Sequence, residues 1–218
     1  MDRQVANVPD VLMLLGTSCP HCAGELLVLS EFIKRGIIGS LQVVNLEQRP
    51  KLAEELGVRG VPWVRIGWFE LEGLHTRAEL QHWVEQATNN SGAGEYLSEA
   101  LGQGQVQKVM ATIRRQPGVM HHVIELMADA EATINVRLGI GVLMEEFASA
   151  DWFQDYIEPL AHLCKHADAR VRSDACHYLA LTGNRDVIPI LRGMLDDDSK
   201  DVVDVAQDGL DAFAEIEG

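Results

Sequence analysis

Two cysteines separated by two residues are the clearest chemical feature of the sequence. Cys19 and Cys22 lie in the segment TSCPHC at residues 17–22. A C-x-x-C pair either carries out thiol-disulfide exchange or supplies two of the four ligands that a tetrahedral zinc site needs. The sequence has no second C-x-x-C and no H-x-H pair to complete such a site. We therefore predict a redox pair and no metal site.

The two residues between the cysteines favour a stabilised Cys19 thiolate. The pair follows an apolar run and opens a helical pattern, so Cys19 is expected near a helix N-terminus with Pro20 in the first helical position. Unpaired N–H groups there, and the partial positive charge of His21, lower the pKa of a thiol. Such lowering improves Cys19 as a leaving group more than as a nucleophile, which favours an oxidising role. Cys19, Pro20, His21 and Cys22 are the predicted catalytic residues.

Hydrophobic patterning predicts an α/β domain around this pair. Seven elements are expected in the order β-α-β-α-β-β-α, over residues 11–16, 20–35, 41–46, 50–56, 64–66, 68–71 and 76–87. The runs at 11–16 and 41–46 are almost continuously apolar, which is typical of buried parallel strands. Thr76, followed three residues later by Glu79, has the pattern of a capping box at the start of the last helix.

The composition changes near residue 90. Residues 1–90 carry 11 acidic and 8 basic side chains, whereas residues 91–218 carry 22 and 10. The segment NNSGAG, residues 89–94, interrupts helical periodicity at the same place. We therefore predict two domains, over residues 1–90 and 91–218.

Beyond residue 94, apolar residues recur at spacings of three and four, which predicts an all-helical domain. One such set is Leu138, Val142, Leu143 and Phe147. An internal repeat is also visible, because Val136-Arg137, Val171-Arg172 and Val202-Val203 follow one another at intervals of about 35 and 31 residues. The repeating unit is a helix, an acidic turn and a second helix.

Composition and charge limit the partners. The 218 residues are 47% hydrophobic and 23% charged with a net charge of −15, as in a soluble globular protein. An acidic surface repels phosphate backbones and anionic headgroups, so we expect neither nucleic acid nor membrane as a partner. No apolar run approaches the roughly 18 residues that span a bilayer, and the N-terminus lacks a basic segment followed by an apolar one. We expect a cytoplasmic protein.

Residues 8–88 resemble a compact thioredoxin domain, with the C-x-x-C motif after the first strand and Gly60-Val61-Pro62 before the third. The resemblance implies a cis peptide bond before Pro62 and substrate contacts from Val61, Pro62 and Gly73. It also implies that the chain needs no cofactor beyond the Cys19–Cys22 disulfide, and that a reductase or thiol donor is a partner. The CPHC tetrapeptide itself is similar to that of periplasmic disulfide oxidases, although this domain lacks their helical insertion.

One position departs from the thioredoxin pattern. The buried acid that the family carries in the first strand is Met13 in this sequence. Proton transfer to Cys22 must therefore use another group or water. Glu25 is the nearest candidate in the sequence.

Residues 133–213 resemble HEAT-like repeats, most clearly at Asp168, Val171-Arg172, Ala175 and Leu179. Such repeats stack helix pairs into a surface that binds proteins. The leading hypothesis is a thiol-disulfide oxidoreductase acting on protein disulfides, with a repeat domain that binds a protein substrate or partner. The alternative is a protein-interaction adaptor that is non-catalytic or redox-gated and uses the thioredoxin fold as a platform.

Other residues with chemical potential have structural interpretations that we favour. Cys164 and Cys176 fall on apolar helix faces and are expected in the core, with a regulatory disulfide as the alternative. Trp63 and Trp68 flank a strand, where packing is favoured over substrate contact. The acidic run 196–198 is expected to form a polar outer face, with docking of a basic partner as the alternative.

Overall fold

The computed structural model describes residues 8–89 and 91–215. These residues form two compact units that divide between Tyr96 and Leu97. The division falls a few residues after the boundary expected at residue 90. None of the helices described in these ranges is both long and apolar enough to cross a membrane.

The first unit contains a small mixed sheet. Its elements are β1 (Asp10–Leu15), α1 (Cys22–Lys34), β2 (Ser40–Asn45), α2 (Pro50–Leu56), β3 (Trp63–Ile66), β4 (Phe69–Glu72) and α3 (Arg77–Asn89). The strand order is β2-β1-β3-β4. β1 pairs in parallel with β2 and antiparallel with β3, which pairs antiparallel with β4. The element order is the one predicted from the sequence.

The two apolar runs that predicted buried strands have different environments. β1 is central, and its residues Val11 to Leu14 are buried. β2 pairs in parallel with β1 as expected but lies at the edge of the sheet, where Val43 is exposed. The prediction that 41–46 is buried is therefore wrong. An edge strand has one neighbour in the sheet, and a run of apolar letters does not show where in the sheet a strand lies.

The capping box at the start of α3 is confirmed. The Thr76 N–H donates to Glu79 Oε2 (2.7 Å), and the Glu79 N–H donates to Thr76 Oγ1 (3.3 Å). Two backbone donors that have no intrahelical partner are satisfied in this way.

The second unit is built from short helices. From residue 93 the chain forms α4 (Ala93–Gly102), α5 (Val106–Arg115), α6 (Met120–Met127), α7 (Ile134–Phe147), α8 (Ile157–Leu163), α9 (Ala169–Leu181), α10 (Ile188–Gly193) and α11 (Lys200–Glu215). Short 3-10 turns lie before α6, α8, α10 and α11. The repeated valines occupy equivalent buried positions in α7, α9 and α11, namely Val136, Val171 and Val202.

The arginines of the repeat connect each copy to the next. Arg137 of α7 forms an ion pair with Asp174 of α9. Arg172 of α9 donates from Nε and a terminal nitrogen to the two oxygens of Asp197 (2.8 Å each) and to Asp198 (2.7 Å). The Arg172 guanidinium lowers the pKa of Asp197 to about 2, so this pair is lost only as the pH falls towards that value. Two of the acids in the run 196–198 therefore serve a contact between neighbouring repeats.

A glycine lies where α11 packs closely against α9 and α10. A Cβ atom at Gly209 would lie 2.9 Å from Ala180 Cβ and 3.3 Å from Leu191 Cδ1. We expect Gly209→Ala to destabilise the protein, because overpacking costs about 1–3 kcal/mol and alanine's higher helix propensity returns at most about 1 kcal/mol. In Gly193→Ala the added methyl meets no atom within 4 Å, so stability should stay level or rise. Urea unfolding of both variants tests this, and equal midpoints would contradict it.

Candidate functional site

A disulfide joins Cys19 and Cys22 between the end of β1 and the start of α1, with the two Cα atoms 5.5 Å apart. The expected helix over residues 20–35 begins two residues later than predicted, at Cys22, and His21 is its N-cap. The Cys19 N–H donates to the Gly16 carbonyl (3.2 Å), which closes a turn ahead of the helix. Pro20 therefore lies in the turn and does not occupy the first helical position.

The two sulfurs have different access to solvent. Cys22 is 3% exposed, whereas Cys19 is partly exposed. The Cys22 N–H points at Cys19 Sγ (3.2 Å). This N–H at the helix N-terminus stabilises negative charge on Cys19 when the disulfide is open. The arrangement makes Cys19 the sulfur that another thiol or disulfide can reach.

Hydrogen bonds attach the loop after β1 to the loop after β2. The Thr17 N–H donates to Glu47 Oε1 (2.7 Å), and Asn45 Nδ2 donates to Thr17 Oγ1 (3.0 Å). Asn45 Oδ1 in turn accepts from the Glu47 N–H (2.9 Å). The bonds from Thr17 lower the pKa of the Glu47 carboxyl. The chain that leads into the cysteine pair is therefore held at two points.

The residues expected to contact substrate lie together. The Val61–Pro62 peptide bond is cis, as the resemblance implies. The Gly73 N–H donates to the Pro62 carbonyl (2.9 Å), and Gly73 has a φ of 87°, which favours glycine. Val61 and Cys19 both pack against the apolar cluster that contains Cys22. Val61, Pro62 and Gly73 thus lie in one region of the unit that also holds the disulfide.

His21 lies on the exposed side of this region. Its position as N-cap places its backbone at the start of α1, between the two cysteines. The His21 carbonyl accepts from the Glu25 N–H at 3.4 Å. The imidazole is accessible to a partner that approaches Cys19.

A carboxylate and an imidazole form a buried pair in the same unit. Glu25 is one helical turn after Cys22, so the two side chains share a face of α1. Glu25 is 1% exposed, and neither of its oxygens has a hydrogen-bond partner of ordinary geometry within the described residues. His75 Nδ1 lies 3.5 Å from Glu25 Oε1, which is an ion-pair contact at the outer limit of hydrogen bonding. This contact raises the pKa of His75 against the opposing effect of partial burial.

Sequence reasoning identified Glu25 and missed His75. Met13, the position at which the resemblance implied a buried acid, is fully buried in β1. Glu25 supplies a buried carboxyl from α1 instead. The signal for His75 was its place two residues after Gly73, in a segment that the resemblance already put near the cysteines.

The two tryptophans near the site have packing roles. Trp63 is 1% exposed and packs with Leu12 and Leu14 on one face of the sheet. The Trp68 ring stacks on Phe69, with centroids 4.2 Å apart, and meets Tyr96 edge-on at 5.3 Å. These contacts agree with the packing interpretation.

The remaining cysteines, Cys164 and Cys176, are free and buried in the second unit. Interaction between the two side chains lowers the pKa of Cys164 and raises that of Cys176. The first of two neighbouring thiols to ionise is stabilised by the other, and ionisation of the second beside that charge is disfavoured. In the ranges 8–89 and 91–215, no three side chains of His, Cys, Asp or Glu are arranged to hold a metal ion.

Comparison with known protein families bears on the second unit. A family model described as HEAT repeats matches residues 121–211. The match begins at α6, ahead of the expected range of 133–213, and the C-terminal region therefore contains HEAT repeats. None of the curated proteins compared with the chain matches it.

Proposed function

We propose that this chain is a thiol-disulfide oxidoreductase with an N-terminal thioredoxin-like domain, and that its HEAT repeats bind a protein substrate or partner. The observation that carries the proposal is the asymmetry of the disulfide. Cys19 is accessible at a helix N-terminus and accepts the Cys22 N–H, whereas Cys22 is buried. An attacking sulfur must meet its target, and a resolving sulfur needs to reach only its neighbour.

The fold of the first unit supports the proposal. A parallel β1–β2 pair is extended by antiparallel β3 and β4, and the cysteines follow β1. The Val61–Pro62 segment precedes β3 and is joined to Gly73 after β4. A backbone in this position is suited to pairing with an extended substrate peptide.

The proposed reaction needs no cofactor beyond the cysteine pair. The Cys19 thiolate attacks a substrate disulfide, forms a mixed disulfide and releases one substrate thiolate. The Cys22 thiolate then attacks Cys19 Sγ, which forms the Cys19–Cys22 disulfide and releases the second thiolate. Two electrons pass from the protein to the substrate, and a reductase or thiol donor restores the reduced pair. An oxidase would run the same steps in reverse.

The HEAT repeats favour a second candidate, a redox-gated or non-catalytic adaptor. HEAT repeats bind proteins through extended surfaces and carry no chemistry themselves. The two candidates differ in what the cysteines do. An adaptor without redox function keeps its partner binding and its cellular role when both cysteines are serine, and a gated one changes partner affinity between the reduced and oxidised states.

The test is the reduction potential of the Cys19–Cys22 couple. The protein is equilibrated in glutathione buffers of graded ratio, quenched with an alkylating reagent, and the added alkyl groups are counted by mass spectrometry. We expect a two-electron transition of roughly −120 to −180 mV, as for oxidants and isomerases. A value near −270 mV would indicate a reductant. A Cys19→Ser/Cys22→Ser variant is the control. If the alkyl-group count of the wild type changed no more across the buffers than that of the control, the proposal would be contradicted and the adaptor supported.

A further inference from the structure

One face of helix α7 is apolar and uncovered. Six large hydrophobic side chains are exposed among the described residues, and three of them lie on α7. Ile134, Leu138 and Val142 are 69%, 63% and 41% exposed. Their spacing of four residues places them in one stripe, two helical turns long or about 12 Å.

The opposite face of α7 is the one that packs in the core. Val136, Ile140 and Leu143 are buried there at 2% exposure or less. The four apolar residues that predicted a helix here, Leu138, Val142, Leu143 and Phe147, therefore lie on two faces of it. Leu143 and Phe147 face the core, whereas Leu138 and Val142 are exposed. An isolated exposed leucine is ordinary, but a continuous stripe marks an interaction site.

A groove runs beside this stripe. It has a volume of about 410 Å³ and lies between α7 and the end of α4 with the turn that follows. Leu101, Val106, Leu138 and Val142 contribute its apolar lining, and none of its lining residues is charged. Gly139 keeps α7 close to α4, since a Cβ atom there would lie 2.9 Å from Leu101 Cδ2. The adjoining stripe of about 12 Å matches two turns of a partner helix.

The surroundings of the groove are acidic. Glu145 and Glu146 follow the stripe at the C-terminal end of α7, and both are exposed. Glu146 forms an ion pair with Arg114, which leaves Glu145 as excess negative charge at this end. Glu99 is exposed on α4 and accepts from Gln103, a residue of the groove lining (3.0 Å). An apolar floor with acidic ends complements an apolar helix face flanked by basic side chains.

The net charge argues against a second copy of this chain as the occupant. Residues 91–218 carry 22 acidic and 10 basic side chains. Two copies facing each other across this surface would repel, whereas a basic partner is attracted.

We propose that the groove between α4 and α7 binds an amphipathic helix of a basic partner protein, with the partner's apolar residues packed on Ile134, Leu138 and Val142. The proposal names the partner class for the protein-binding role proposed above and rests on that role. It is independent of the cysteine chemistry. The mode is a helix in a groove, read by apolar anchors at intervals of three and four residues.

The test uses the full chain and a synthetic peptide. The probe is a labelled helix of about 18 residues, above the length at which isolated helices are marginal, with leucines on one face and lysines elsewhere. Fluorescence anisotropy measures its Kd for the wild type and for Leu138→Glu. We expect Leu138→Glu to weaken binding about tenfold or more, as for loss of a central anchor. Leu27→Glu, at an equally exposed position (65%) on α1, is the matched control and should bind like the wild type.

This design separates docking from general attraction between opposite charges. Leu138→Glu makes the protein more acidic, so nonspecific attraction of a lysine-rich helix predicts equal or tighter binding, and that result would overturn the proposal. A peptide with serine in place of leucine should lose binding. Sedimentation over a range of concentrations tests the other occupant, and a dimer that Leu138→Glu dissolves would also overturn it.

A thermal melt confirms that each variant is folded, which is expected for a substitution at an exposed position. The binding measurement is repeated with the Cys19→Ser/Cys22→Ser protein. Peptide binding in the groove requires neither Cys19 nor Cys22. Failure of the peptide to bind would therefore not contradict the proposed thiol-disulfide exchange. Absence of redox exchange would equally leave the groove standing.

Discussion

Replacement of Cys19 by serine is expected to abolish turnover of a disulfide substrate. Cys19 is the partly exposed member of the pair, and Cys22 is too deeply buried to meet a protein disulfide in its place. A hydroxyl at this position cannot form the mixed disulfide on which both steps depend. The measurement is reduction of insulin disulfides by the protein with dithiothreitol as electron donor. Activity should fall to the rate of dithiothreitol alone.

Replacement of Cys22 by serine should have a different result. Cys19 still attacks, but no neighbouring thiol displaces the substrate, so a mixed disulfide accumulates. Non-reducing mass spectrometry should find the substrate attached to Cys19. This difference between the two variants tests the assignment of roles, which loss of activity alone does not.

A Cys164→Ser/Cys176→Ser variant serves as the control. Both residues are free thiols buried in the second unit, so turnover should match that of the wild type. The proposed mechanism is wrong if Cys19→Ser and Cys22→Ser both retain activity. If the control lost turnover while the other two variants kept it, Cys164 and Cys176 would be the reactive pair.

Features of the fold that depend on local signals could be predicted from the sequence. The order of strands and helices in the first unit follows from apolar runs and helical spacing. The capping box of Thr76 and Glu79 needs only the two side chains and the adjacent backbone, and the structure contains both of its bonds. The repeated valines at 136, 171 and 202 are buried because each begins the same helix of the same unit.

Features that depend on tertiary neighbours could not be predicted in this way. Val43 is exposed because β2 ends the sheet, and no local pattern shows which strand is at an edge. Leu138 and Val142 fit a helical period as well as Leu143 does, yet no element within the described residues covers them.

The same distinction between local signals and tertiary neighbours applies to the candidate site. The spacing of Cys19 and Cys22 is local, and it identifies the chemistry before any fold is known. The contact of His75 with Glu25 joins residues 50 positions apart and depends on how β4 returns the chain to α1. The sequence identified the carboxyl as a candidate, whereas the position of His75 near Gly73 placed it in the region of the cysteines without showing its contact with Glu25.

Glu25→Gln is the second substitution with a large expected effect. Glu25 shares a helix face with Cys22 and is buried without a good hydrogen bond, which costs folding free energy. We propose that it takes the proton of the Cys22 thiol when that thiol attacks Cys19. Glutamine has nearly the same shape and cannot accept the proton, so the resolving step should slow about 10²-fold. Stopped-flow decay of a preformed mixed disulfide measures this step.

Stability should respond in the opposite direction to activity. Glu25→Leu/His75→Leu replaces the whole pair with apolar side chains of similar size. Replacement of both partners of a buried pair is neutral or stabilises by about 1–4 kcal/mol. We therefore expect this double variant to keep or raise the urea midpoint while its resolving step is as slow as in Glu25→Gln. A purely structural glutamate would lower both stability and rate when replaced.

The pH dependence of stability tests the contact between Glu25 and His75 independently. The Glu25 contact raises the pKa of His75, with a smaller contribution from Glu79. A raised histidine pKa adds stability that is complete below the unfolded value of about 6.5 and is lost as the pH rises through the folded value. The wild type should therefore lose stability relative to Glu25→Gln as the pH rises above about 6.5. NMR titration should show the His75 pKa falling in the variant.

Glu31→Gln is the matched control for the rate of the resolving step and for the His75 titration. Glu31 lies on the same helix as Glu25, half-exposed, and pairs with Arg77 at the surface. Its replacement removes one negative charge from α1 without touching the buried pair. The rate of the resolving step and the His75 titration should both match the wild type. If Glu31→Gln slowed resolution as much as Glu25→Gln, the effect would come from the charge of the helix, and the assignment of Glu25 as the proton acceptor would be wrong.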